Sequence, residues 1–272
     1  MSKSNTNPSL SIIIVNYNVE DHLKRCLRSI DSGADVWVVD NASTDGSVEQ
    51  VKINFPWVKI IESQENLGFS KAINRAVREA KGDCLLLLNP DTEFKPESYT
   101  FIKKRCSQLH AKAFGFRQVD AQGNFQLSFG FRPNLSNELM RRSIQRRLDR
   151  KGRWLAAIID RIFSKPTSVS WVAGSSLLVG RDAFEKIDGF DENFFLFFED
   201  IDFCLRLEQS GINVIYEPSI TLLHHRGESS KVNLSLSKQA YRQSQRYFWT
   251  QYHGALGKNM IEFYQRMRGI YY

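Results

Sequence analysis

The feature that most constrains the fold of this chain is a repeated alternation of apolar runs with amphipathic segments. Four runs are typical of strands covered on both faces, and they lie at residues 11–17, 35–39, 58–61 and 84–88. Helical patterns separate them, one of them over residues 69–80. Because strand and helix alternate four times, the first half predicts an α/β fold with a mostly parallel sheet and helices on both faces.

A polar residue stands at or just beyond the carboxyl end of each run. These residues are Asn16, Asp40, Asn66 and Asp91. In an open parallel sheet those strand ends share one edge, and ligands bind in the crevice there. The chain contains no GxGxxG and no GxxxxGK(S/T) motif, so the dinucleotide and P-loop interpretations lose their main support. We therefore predict a ligand site of another kind at this edge.

The second half of the chain is less regular. Residues 113–118 and 126–131 flank a turn and predict a hairpin. Residues 169–179 predict a further apolar strand, and residues 212–216 predict a late one. The sheet should therefore continue beyond the four parallel strands of the first half.

The composition favours a cytoplasmic globular protein, with 42% hydrophobic and 25% charged residues. No run of 18 apolar residues occurs and no apolar signal core precedes the first strand, so we expect neither a spanning helix nor export. The four cysteines have no CxxC or zinc spacing, and we expect them to be reduced. The net charge of +7 favours phosphate-bearing or membrane-surface partners.

Six motifs occur in order along the chain: SIIIVNYN (11–18), VVDNASTDGS (38–47), ENLGFSKAINRA (65–76), LLLLNPDTEF (85–94), WVAGSSLLVGRDAFEKIDGFDENFFLFFEDIDFCLRL (171–207) and HHRGESS (224–230). Together they resemble the family-2 inverting glycosyltransferases of the GT-A fold, and within them the rhamnosyltransferase-like branch. The resemblance implies a Rossmann-like domain over residues 1–230 and a helical extension over residues 231–272. Its donor-binding half would span about 9–95 and its acceptor half about 96–230, with a basic helical insertion at about 136–163.

The resemblance also implies a metal site. Asn89-Pro-Asp91 is similar to the family's Asp-x-Asp motif, with Asp91 as a ligand of Mg²⁺ or Mn²⁺ on the donor diphosphate. A hard cation on oxygen ligands stabilises the negative charge that grows on a diphosphate leaving group. His224 matches the spacing of a further metal ligand in the family, and His225 is the alternative.

Asp40 resembles the family residue that accepts a hydrogen bond from the imide N–H of uracil or thymine. The alternative interpretation of Asp40 is a cap for the following helix. We expect the donor nucleotide to contact a wider set of residues around these strand ends. Besides Asp40, the set is Asn16, Tyr17, Asn41, Asn66, Gly68, Lys71, Asn74 and Asn89.

Glu199 and Asp200 resemble the family's Glu-Asp pair. An inverting transfer needs a base that deprotonates the acceptor hydroxyl as it attacks the anomeric carbon. The resemblance implies that Asp200 is this base and that Glu199 orients it or the acceptor, while Asp202 is the competing base. Acidic residues are also favoured at helix N-termini by the helix dipole, which is the structural alternative. We expect Trp171, Gly174 and Asp202 to contact the acceptor.

Residues 138–163 predict a helix that is broken near Gly152, and its first part is strongly basic. Met140, Ile144 and Leu148 lie four apart on one face, and arginines cover much of the remainder. This pattern predicts an interfacial helix attracted to anionic lipid headgroups, or alternatively a solvated helix that packs on the domain. The aromatic, basic tail predicts a second interfacial helix or a self-association surface, and hence a homodimer.

These expectations describe a peripheral enzyme on the inner face of a bacterial cytoplasmic membrane, acting on a lipid-linked saccharide in cell-surface polysaccharide or O-antigen biosynthesis. The branch that the chain resembles favours dTDP-L-rhamnose as donor, and UDP-linked sugars remain open. A nucleotidyltransferase is one rival, but it has little use for the late Glu-Asp pair. A nucleic-acid-binding protein is another, yet it explains none of the strand-end residues, so we expect no nucleic-acid partner.

Overall fold

In the computed structural model, residues 8–95, 98–149, 152–226 and 233–267 of the 272-residue chain are described. The predicted alternation of strand and helix forms the first half of the fold. Its elements are β1 (Leu10–Asn16), α1 (Glu20–Arg28), β2 (Asp35–Asp40), α2 (Ser47–Asn54), β3 (Lys59–Glu62), α3 (Gly68–Glu79) and β4 (Cys84–Leu88).

Within the described residues, the second half adds eight strands and six helices, together with a short 3₁₀ turn at Leu109–Ala111. The strands are β5 (Thr92–Phe94), β6 (Lys112–Val119), β7 (Phe125–Gln126), β8 (Phe129–Gly130), β9 (Thr167–Ser168), β10 (Trp171–Val172), β11 (Ser176–Gly180) and β12 (Asn213–His224). The helices are α4 (Ser98–Cys106), α5 (Leu135–Asp149), α6 (Arg153–Ile162), α7 (Arg181–Lys186), α8 (Glu199–Gln209) and α9 (Leu234–Met267).

One sheet of ten strands organises these elements. Its main order is β3-β2-β1-β4-β11-β6-β12-β5, with β7 added beside β6 and β9 beside β12. The strands β3, β2, β1 and β4 run parallel, whereas β11 is antiparallel to both β4 and β6. A separate two-stranded ribbon joins β8 to β10. The carboxyl ends of β1, β2 and β4 therefore meet at one edge, as the sequence predicts.

Apolar side chains on both faces of the sheet explain why its central strands read as continuous apolar runs. Within β1, Ile13 packs into one buried cluster, while Ile12 and Ile14 pack into another. All five residues of β4 are buried. A strand that is covered on both faces has no solvent side, so its sequence shows no alternation with polar residues.

Three predictions for the second half need correction. The apolar segment 169–179 forms two strands, β10 and β11, because the chain leaves the ribbon at residue 173 and joins the main sheet at Ser176. The late strand extends to His224 as the twelve-residue β12, with a register irregularity between Glu217 and Thr221. The hairpin over 113–118 and 126–131 is present but short, with two residue pairs joining β6 to β7.

The tail also differs from the prediction of an interfacial or self-association surface built on its aromatic residues. Phe248 and Trp249 are buried in the core of the chain itself, and Tyr241 and Tyr252 pack against the same cluster. Tyr241 packs against Phe197 and Phe198, and Phe248 packs against Phe198, within the aromatic run at 194–198. In the described part of the chain, no helix has the length and apolarity needed to cross a membrane. Residues 227–230 of the sixth motif lie outside the described residues.

Candidate active site

A cavity of about 430 Å³ opens at the carboxyl edge of the parallel strands. Side chains that follow β1, β2 and β4 line one wall of it, and residues from the second half of the chain line the other. Ten of the residues singled out in the sequence contribute to its lining: Tyr17, Asn41, Asn66, Gly68, Asn89, Asp91, Gly174, Glu199, Asp200 and His224. The fold thus brings together residues that are separated by up to about two hundred positions in sequence.

Asn16 and Asp40 lie immediately behind this lining. They are opposite each other in the β1–β2 register, and the Asn16 amide nitrogen donates to Asp40 Oδ1 at 2.8 Å. The other oxygen of Asp40 accepts the backbone N–H of Ser43 at 2.9 Å. Both side chains are buried. Asp40 therefore shapes the loop after β2, but it does not cap α2, because the N-cap position of that helix is Gly46 and no side chain caps it.

The loop before α3 is built around Gly68. Its φ of +77° is in the left-handed region, and a Cβ there would lie 2.4 Å from the backbone oxygen of Phe195. The same oxygen accepts the N–H of Phe69 at 2.7 Å. The Asn66 side chain accepts the N–H of Gly68 at 3.0 Å, and the Asn41 amide donates to the Gly68 carbonyl at 3.0 Å. A glycine is required here for close approach to the chain's own Phe195 loop.

Lys71 and Asn74, two residues predicted to contact the donor, do not line the cavity. Lys71 is exposed on α3. Asn74 holds the backbone of Phe190, donating to its carbonyl at 2.8 Å and accepting its N–H at 2.9 Å. Asn74 therefore fixes the segment that leads into the second-half wall. The spacing of a motif does not reveal whether a polar residue faces a ligand or the chain's own backbone.

Asp91 and His224 are adjacent because β5 pairs with β12. Thr92 is opposite His224 in that register, and the His225 N–H donates to the Asp91 carbonyl at 2.8 Å. His224 Nε2 lies 3.3 Å from Asp91 Oδ1 and makes no hydrogen bond to a described residue. His225, the alternative ligand, instead contacts Glu93 at 2.8 Å and does not line the cavity. The pair that faces the cavity is therefore Asp91 with His224.

Gln118 orients the imidazole of His224. Its amide nitrogen donates to the hydroxyls of Ser175 at 2.7 Å and Ser176 at 2.9 Å, which turns its oxygen toward His224 Nδ1 at 2.8 Å. Because an amide oxygen only accepts, the proton is on Nδ1 and Nε2 presents its lone pair toward Asp91. A metal-binding histidine is commonly held in this way through its other ring nitrogen.

The chemistry of this pair fits a divalent cation that is shared with a ligand. Two octahedral ligands, each about 2.1 Å from Mg²⁺, are about 3 Å apart, close to the 3.3 Å between Nε2 and Oδ1. Within the described residues, no group of three acidic, histidine or cysteine side chains forms a complete cage. Mg²⁺ in such sites is usually held by one or two protein groups together with substrate phosphates and water. The two-residue set therefore suits a cation that arrives with a diphosphate.

Glu199 and Asp200 open helix α8 on the second-half wall. Asp200 accepts two backbone N–H groups, from Gly174 at 3.1 Å and from Ile201 at 2.8 Å. Glu199 is buried, and its Oε2 has no hydrogen-bond partner among the described residues. A buried carboxyl oxygen without a partner is costly unless it holds a proton or meets a ligand. Both carboxyl groups line the cavity.

Their environments affect the pKa values of the two carboxyl groups differently. Burial raises the pKa of Glu199 well above its usual range, and the neighbouring Asp200 charge raises it further. Burial also raises the pKa of Asp200, but backbone N–H groups and the positive charge of Arg141 act in the opposite direction. Of the two, Asp200 has the stabilising partners for a negative charge. These opposing effects favour Glu199 over Asp200 as the protonated member of the pair.

The backbone just before this pair is strained. Phe197 and Phe198 adopt φ values of +69° and +68°, a left-handed conformation that costs a non-glycine residue about 1–3 kcal/mol. Helix α9 holds them in place, since the Tyr241 ring lies 5.5 Å from that of Phe197 and 5.4 Å from that of Phe198. The Ser244 hydroxyl also donates to the Leu196 carbonyl at 2.9 Å. Packing from the C-terminal helix thus fixes the entry to the Glu199-Asp200 pair.

Asp202 and Trp171 do not line this cavity. Asp202 is buried, forms a 2.8 Å ion pair with Arg206, and accepts the Tyr252 hydroxyl at 2.8 Å. Its oxygens are occupied by the fold, so it is poorly suited to act as the competing base. Trp171 lines a separate apolar groove beside helix α5.

Sequence reasoning missed several residues at the site. Gln118, Ser175 and Ser176 form the support for His224, and Arg226 and Ser237 line the cavity. A buried glutamine inside the apolar strand β6 was the available signal, since a polar side chain in such a place usually has a specific partner. For Ser237 there was no local signal, because it reaches the cavity from helix α9.

The comparisons with known proteins agree with this architecture. The family described as Glycosyl transferase family 2 matches residues 11–165, and the Glycosyl transferase family group 2 matches residues 153–270. This chain belongs to glycosyl transferase family 2. The first match covers the strand-end residues of the cavity, and the second covers its lining residues from 173 to 237.

Two relatives of this glycosyltransferase specify the branch. N-acetylglucosaminyl-diphospho-decaprenol L-rhamnosyltransferase of Mycobacterium tuberculosis is 30% identical over 237 residues, which cover 81% of this chain and 77% of the relative. Rhamnosyltransferase WbbL of Escherichia coli is 27% identical over 246 residues, covering 85% of this chain and 88% of the relative. The glycosyltransferase therefore belongs to the rhamnosyltransferase-like branch, as its motifs suggest.

Solved structures give the fold class. GalNAc-T7 with UDP, GalNAc and Mn²⁺ aligns with a TM-score of 0.59 at 14% identity, covering 81% of this chain and 44% of that chain. Staphylococcus aureus TarS (residues 1–349) with UDP-GlcNAc also aligns with a TM-score of 0.59, at 16% identity, covering 95% of this chain and 72% of that chain. At such identities the likeness shows the fold alone, and it confirms the GT-A fold.

Proposed function

We propose that this glycosyltransferase transfers L-rhamnose from dTDP-L-rhamnose to a hydroxyl of a lipid-linked saccharide, during assembly of a bacterial cell-surface polysaccharide or O-antigen. One observation carries the proposal: the Asp91–His224 pair and the Glu199–Asp200 pair line a single cavity. The first pair suits a diphosphate with its cation, and the second suits deprotonation of a hydroxyl. The names of two relatives, both rhamnosyltransferases, support the choice of sugar.

The donor diphosphate is proposed to bind at the strand-end edge, where Asp91 and His224 would hold a divalent cation. When bound, the cation neutralises charge on the departing diphosphate. Gln118 keeps the lone pair of His224 Nε2 directed toward Asp91, so the two ligands need little reorganisation on binding. GalNAc-T7, which shares the fold, was solved with UDP and Mn²⁺, and this supports a cation of this kind.

Sugar transfer is proposed to proceed with inversion at the anomeric carbon. The acceptor oxygen attacks that carbon, the bond to the diphosphate oxygen breaks, and the hydroxyl proton passes to Asp200. Gly174 and Ile201 hold the Asp200 carboxylate through their backbone N–H groups. Glu199, which keeps its proton, is placed to donate a hydrogen bond to the acceptor or to Asp200.

A lipid-linked acceptor is supported by one relative, whose name specifies an N-acetylglucosaminyl-diphospho-decaprenol. The basic helix α5 supports attachment to an anionic membrane surface, because Arg146 and Arg147 are exposed in its last turn. A UDP-linked sugar is the second candidate donor, since TarS of the same fold was solved with UDP-GlcNAc.

Thermal stability in the presence of nucleotide sugars tests the proposal. A donor at 100 times its Kd should stabilise the folded state by about 2.7 kcal/mol. We expect dTDP-L-rhamnose with Mg²⁺ or Mn²⁺ to raise the Tm more than UDP-glucose, UDP-galactose or UDP-GlcNAc under the same conditions. Formation of a rhamnosylated product from a lipid-linked N-acetylglucosamine then tests transfer directly.

Asp91→Asn is the matched test of the cation site, because it removes one charge without changing side-chain volume. The cation-dependent part of the donor-induced Tm shift should disappear in this variant. Asp182→Asn, an exposed acid on α7, should retain the full shift. A full shift in Asp91→Asn would refute the cation assignment, and a larger shift with a UDP-sugar would replace the proposed donor.

A further inference from the structure

An apolar groove of about 120 Å³ lies between helix α5 and the β8–β10 ribbon. Its lining is apolar except for Asn137 and Arg141. Phe129, Trp171 and Ile144 form much of its inner surface. The ribbon can provide this floor because Gly130 is opposite Trp171, and a Cβ at that glycine would lie 2.5 Å from the indole ring.

The outer end of the groove is open to solvent. Phe131 and Met140 line it and are 48% and 52% exposed. Large apolar side chains that remain exposed beside an unfilled apolar cleft are typical of a binding surface. In the described part of the chain, neither this pair nor the groove between them is covered by another element.

The inner end of the groove adjoins the active-site cavity. Ile201 lines the groove, and the residue before it, Asp200, lines the cavity. On the ribbon side, Trp171 lines the groove, and Gly174, three residues later, donates its N–H to Asp200 at 3.1 Å. The same two segments therefore separate the groove from the cavity, and a ligand in one is close to a ligand in the other.

A positive charge stands where groove and cavity meet. The Arg141 guanidinium lies 5.9 Å from the centre of the Trp171 ring. Its charge also reaches the active site, because it opposes the rise that burial causes in the pKa of Asp200. Guanidinium groups bind phosphate oxygens well through paired hydrogen bonds. The molecule thus presents, in spatial order, a carboxylate base, a cation and an apolar groove.

That order matches the chemical order of one class of acceptor, namely a sugar joined through a diphosphate to a long hydrocarbon chain. The groove is smaller than the roughly 300–1,000 Å³ of pockets that enclose a whole small molecule. It therefore suits one segment of a long chain, with the remainder leaving through the open end at Phe131 and Met140.

We propose that this groove binds the first isoprenoid segment of a prenyl-diphosphate-linked acceptor, with the diphosphate beside Arg141 and the sugar hydroxyl at Asp200. The inference rests on the proposed function, since it places the acceptor of that same reaction. It goes further by assigning a site for the lipid portion and by predicting selectivity for chain structure. The groove and the basic surface of α5 then have separate roles, the first for one acceptor chain and the second for bulk lipid.

The test uses the double variant Met140→Gln/Ile144→Gln, which makes the groove polar with a side chain that favours helix. Its matched control is Ile53→Gln/Leu256→Gln, which alters two side chains that are each 72% exposed and lie outside the groove. Binding is measured through tryptophan fluorescence with farnesyl diphosphate as probe and inorganic diphosphate as reference. We expect the groove variant to bind farnesyl diphosphate about tenfold more weakly, with inorganic diphosphate unaffected.

Turnover is the second measurement, after farnesyl diphosphate binding. With a prenyl-diphosphate acceptor, the groove variant should show about a tenfold lower kcat/KM, while a short-alkyl acceptor with the same sugar should react as in the wild type. Equal loss with both acceptors, or no change in farnesyl diphosphate binding, would overturn the groove assignment. Parallel loss of binding to phospholipid vesicles would identify bulk lipid as the occupant and likewise overturn it.

The two arms separate this inference from the proposed function. If the donor or the reaction is wrong, the wild type will not turn over either acceptor, but the farnesyl diphosphate measurement will still report on the groove. If the reaction is right and the groove assignment wrong, both acceptors will react with the wild type and the variant in the same ratio.

Discussion

The two walls of the active-site cavity are held in opposite ways. The strand-end wall, formed by Asn41, Asn66 and Asp91 after their strands, rests on polar contacts between neighbouring strands, such as the 2.8 Å bond from Asn16 to Asp40. The loop wall, formed by residues 173–175 and 195–200, contains consecutive left-handed residues that aromatic packing from α9 holds in place.

This difference matches the two tasks that such an enzyme must perform, namely binding of the donor and deprotonation of the acceptor. The strand-end wall is assembled by sheet pairing, so its ligands keep fixed positions relative to one another. The loop wall stores backbone strain, and strain of this kind is commonly found where side chains are held in unusual positions for chemistry. We expect the two walls to respond differently to substitution.

Asp200→Asn, a substitution in the loop wall, should produce the largest effect, which is a loss of activity. Loss of general-base catalysis should lower kcat by ~10²–10⁴-fold, while the donor-induced Tm shift, which depends on the strand-end wall, should persist. Rates with a soluble acceptor and thermal shifts with the donor measure the two separately. If Asp200→Asn remains active while Asp202→Asn is inactive at full folding, the base is Asp202.

Phe248→Ala should reveal how much the loop wall depends on α9. Removing this fully buried ring should lower the free energy of unfolding by about 3–5 kcal/mol. Phe263→Ala is the control, because that phenylalanine lies beyond the kink at Gly254 in the same segment and is 66% exposed, and it should change stability by no more than about 0.5 kcal/mol. Denaturant unfolding measures both, and equal losses would mean that α9 does not anchor the wall through Phe248.

Arg146→Ser/Arg147→Ser should weaken attachment to anionic vesicles without touching either wall. Each arginine near such a surface contributes about 1 kcal/mol, so partitioning should fall roughly thirtyfold. Lys103→Ser/Lys104→Ser, which changes an exposed basic pair on α4, is the control and should have little effect. Sedimentation with vesicles that contain anionic lipid measures the change. Unchanged partitioning in the arginine variant would indicate that this part of α5 is a solvated surface.

Glu199→Gln should give the smallest effect, visible as a change in the pH dependence of stability. Burial raises the pKa of Glu199 above its usual 4.5. At pH values between 4.5 and this raised pKa, the folded protein keeps a proton that the unfolded chain releases. The stability of the wild type therefore declines as the pH rises through that interval. Relative to wild type, the variant should gain a few degrees in Tm as the pH rises above the usual glutamate pKa of 4.5. A difference that does not vary with pH would place the proton elsewhere.

The sequence was sufficient for the strand-end wall and insufficient for the loop wall, for a physical reason. Parallel strands carry their carboxyl ends to one edge, so Asn16, Asp40 and Asp91 could be placed together from local patterns alone. The resemblance located Glu199 and Asp200, but no local pattern shows that Phe198 is left-handed or that Tyr241 packs on it. Those features depend on contacts between residues more than forty positions apart.

The tail illustrates the same limit. Its aromatic residues alternate with basic ones, and such a pattern is compatible with a membrane surface, a second protein copy or the chain's own core. The structure selects the third of these, because aromatic residues of the tail pack in one buried cluster with the aromatic run at 194–198. Conversely, Gln118 was detectable as a buried polar residue in a strand, but its partner His224 lies on β12, and the sequence does not specify that neighbour.

The anchoring of the loop wall by α9 has a consequence for biosynthesis. Domains form progressively as the chain is made, beginning with the N-terminal segments. The strand-end wall is complete once β12 has joined the sheet, whereas Phe248 and Trp249 on α9 follow the end of β12 by more than twenty residues. A prematurely terminated chain would therefore present an assembled edge for a sugar nucleotide beside an unsupported Glu199-Asp200 segment. Competence for transfer should thus appear only after α9 has been made and has packed on the loop wall.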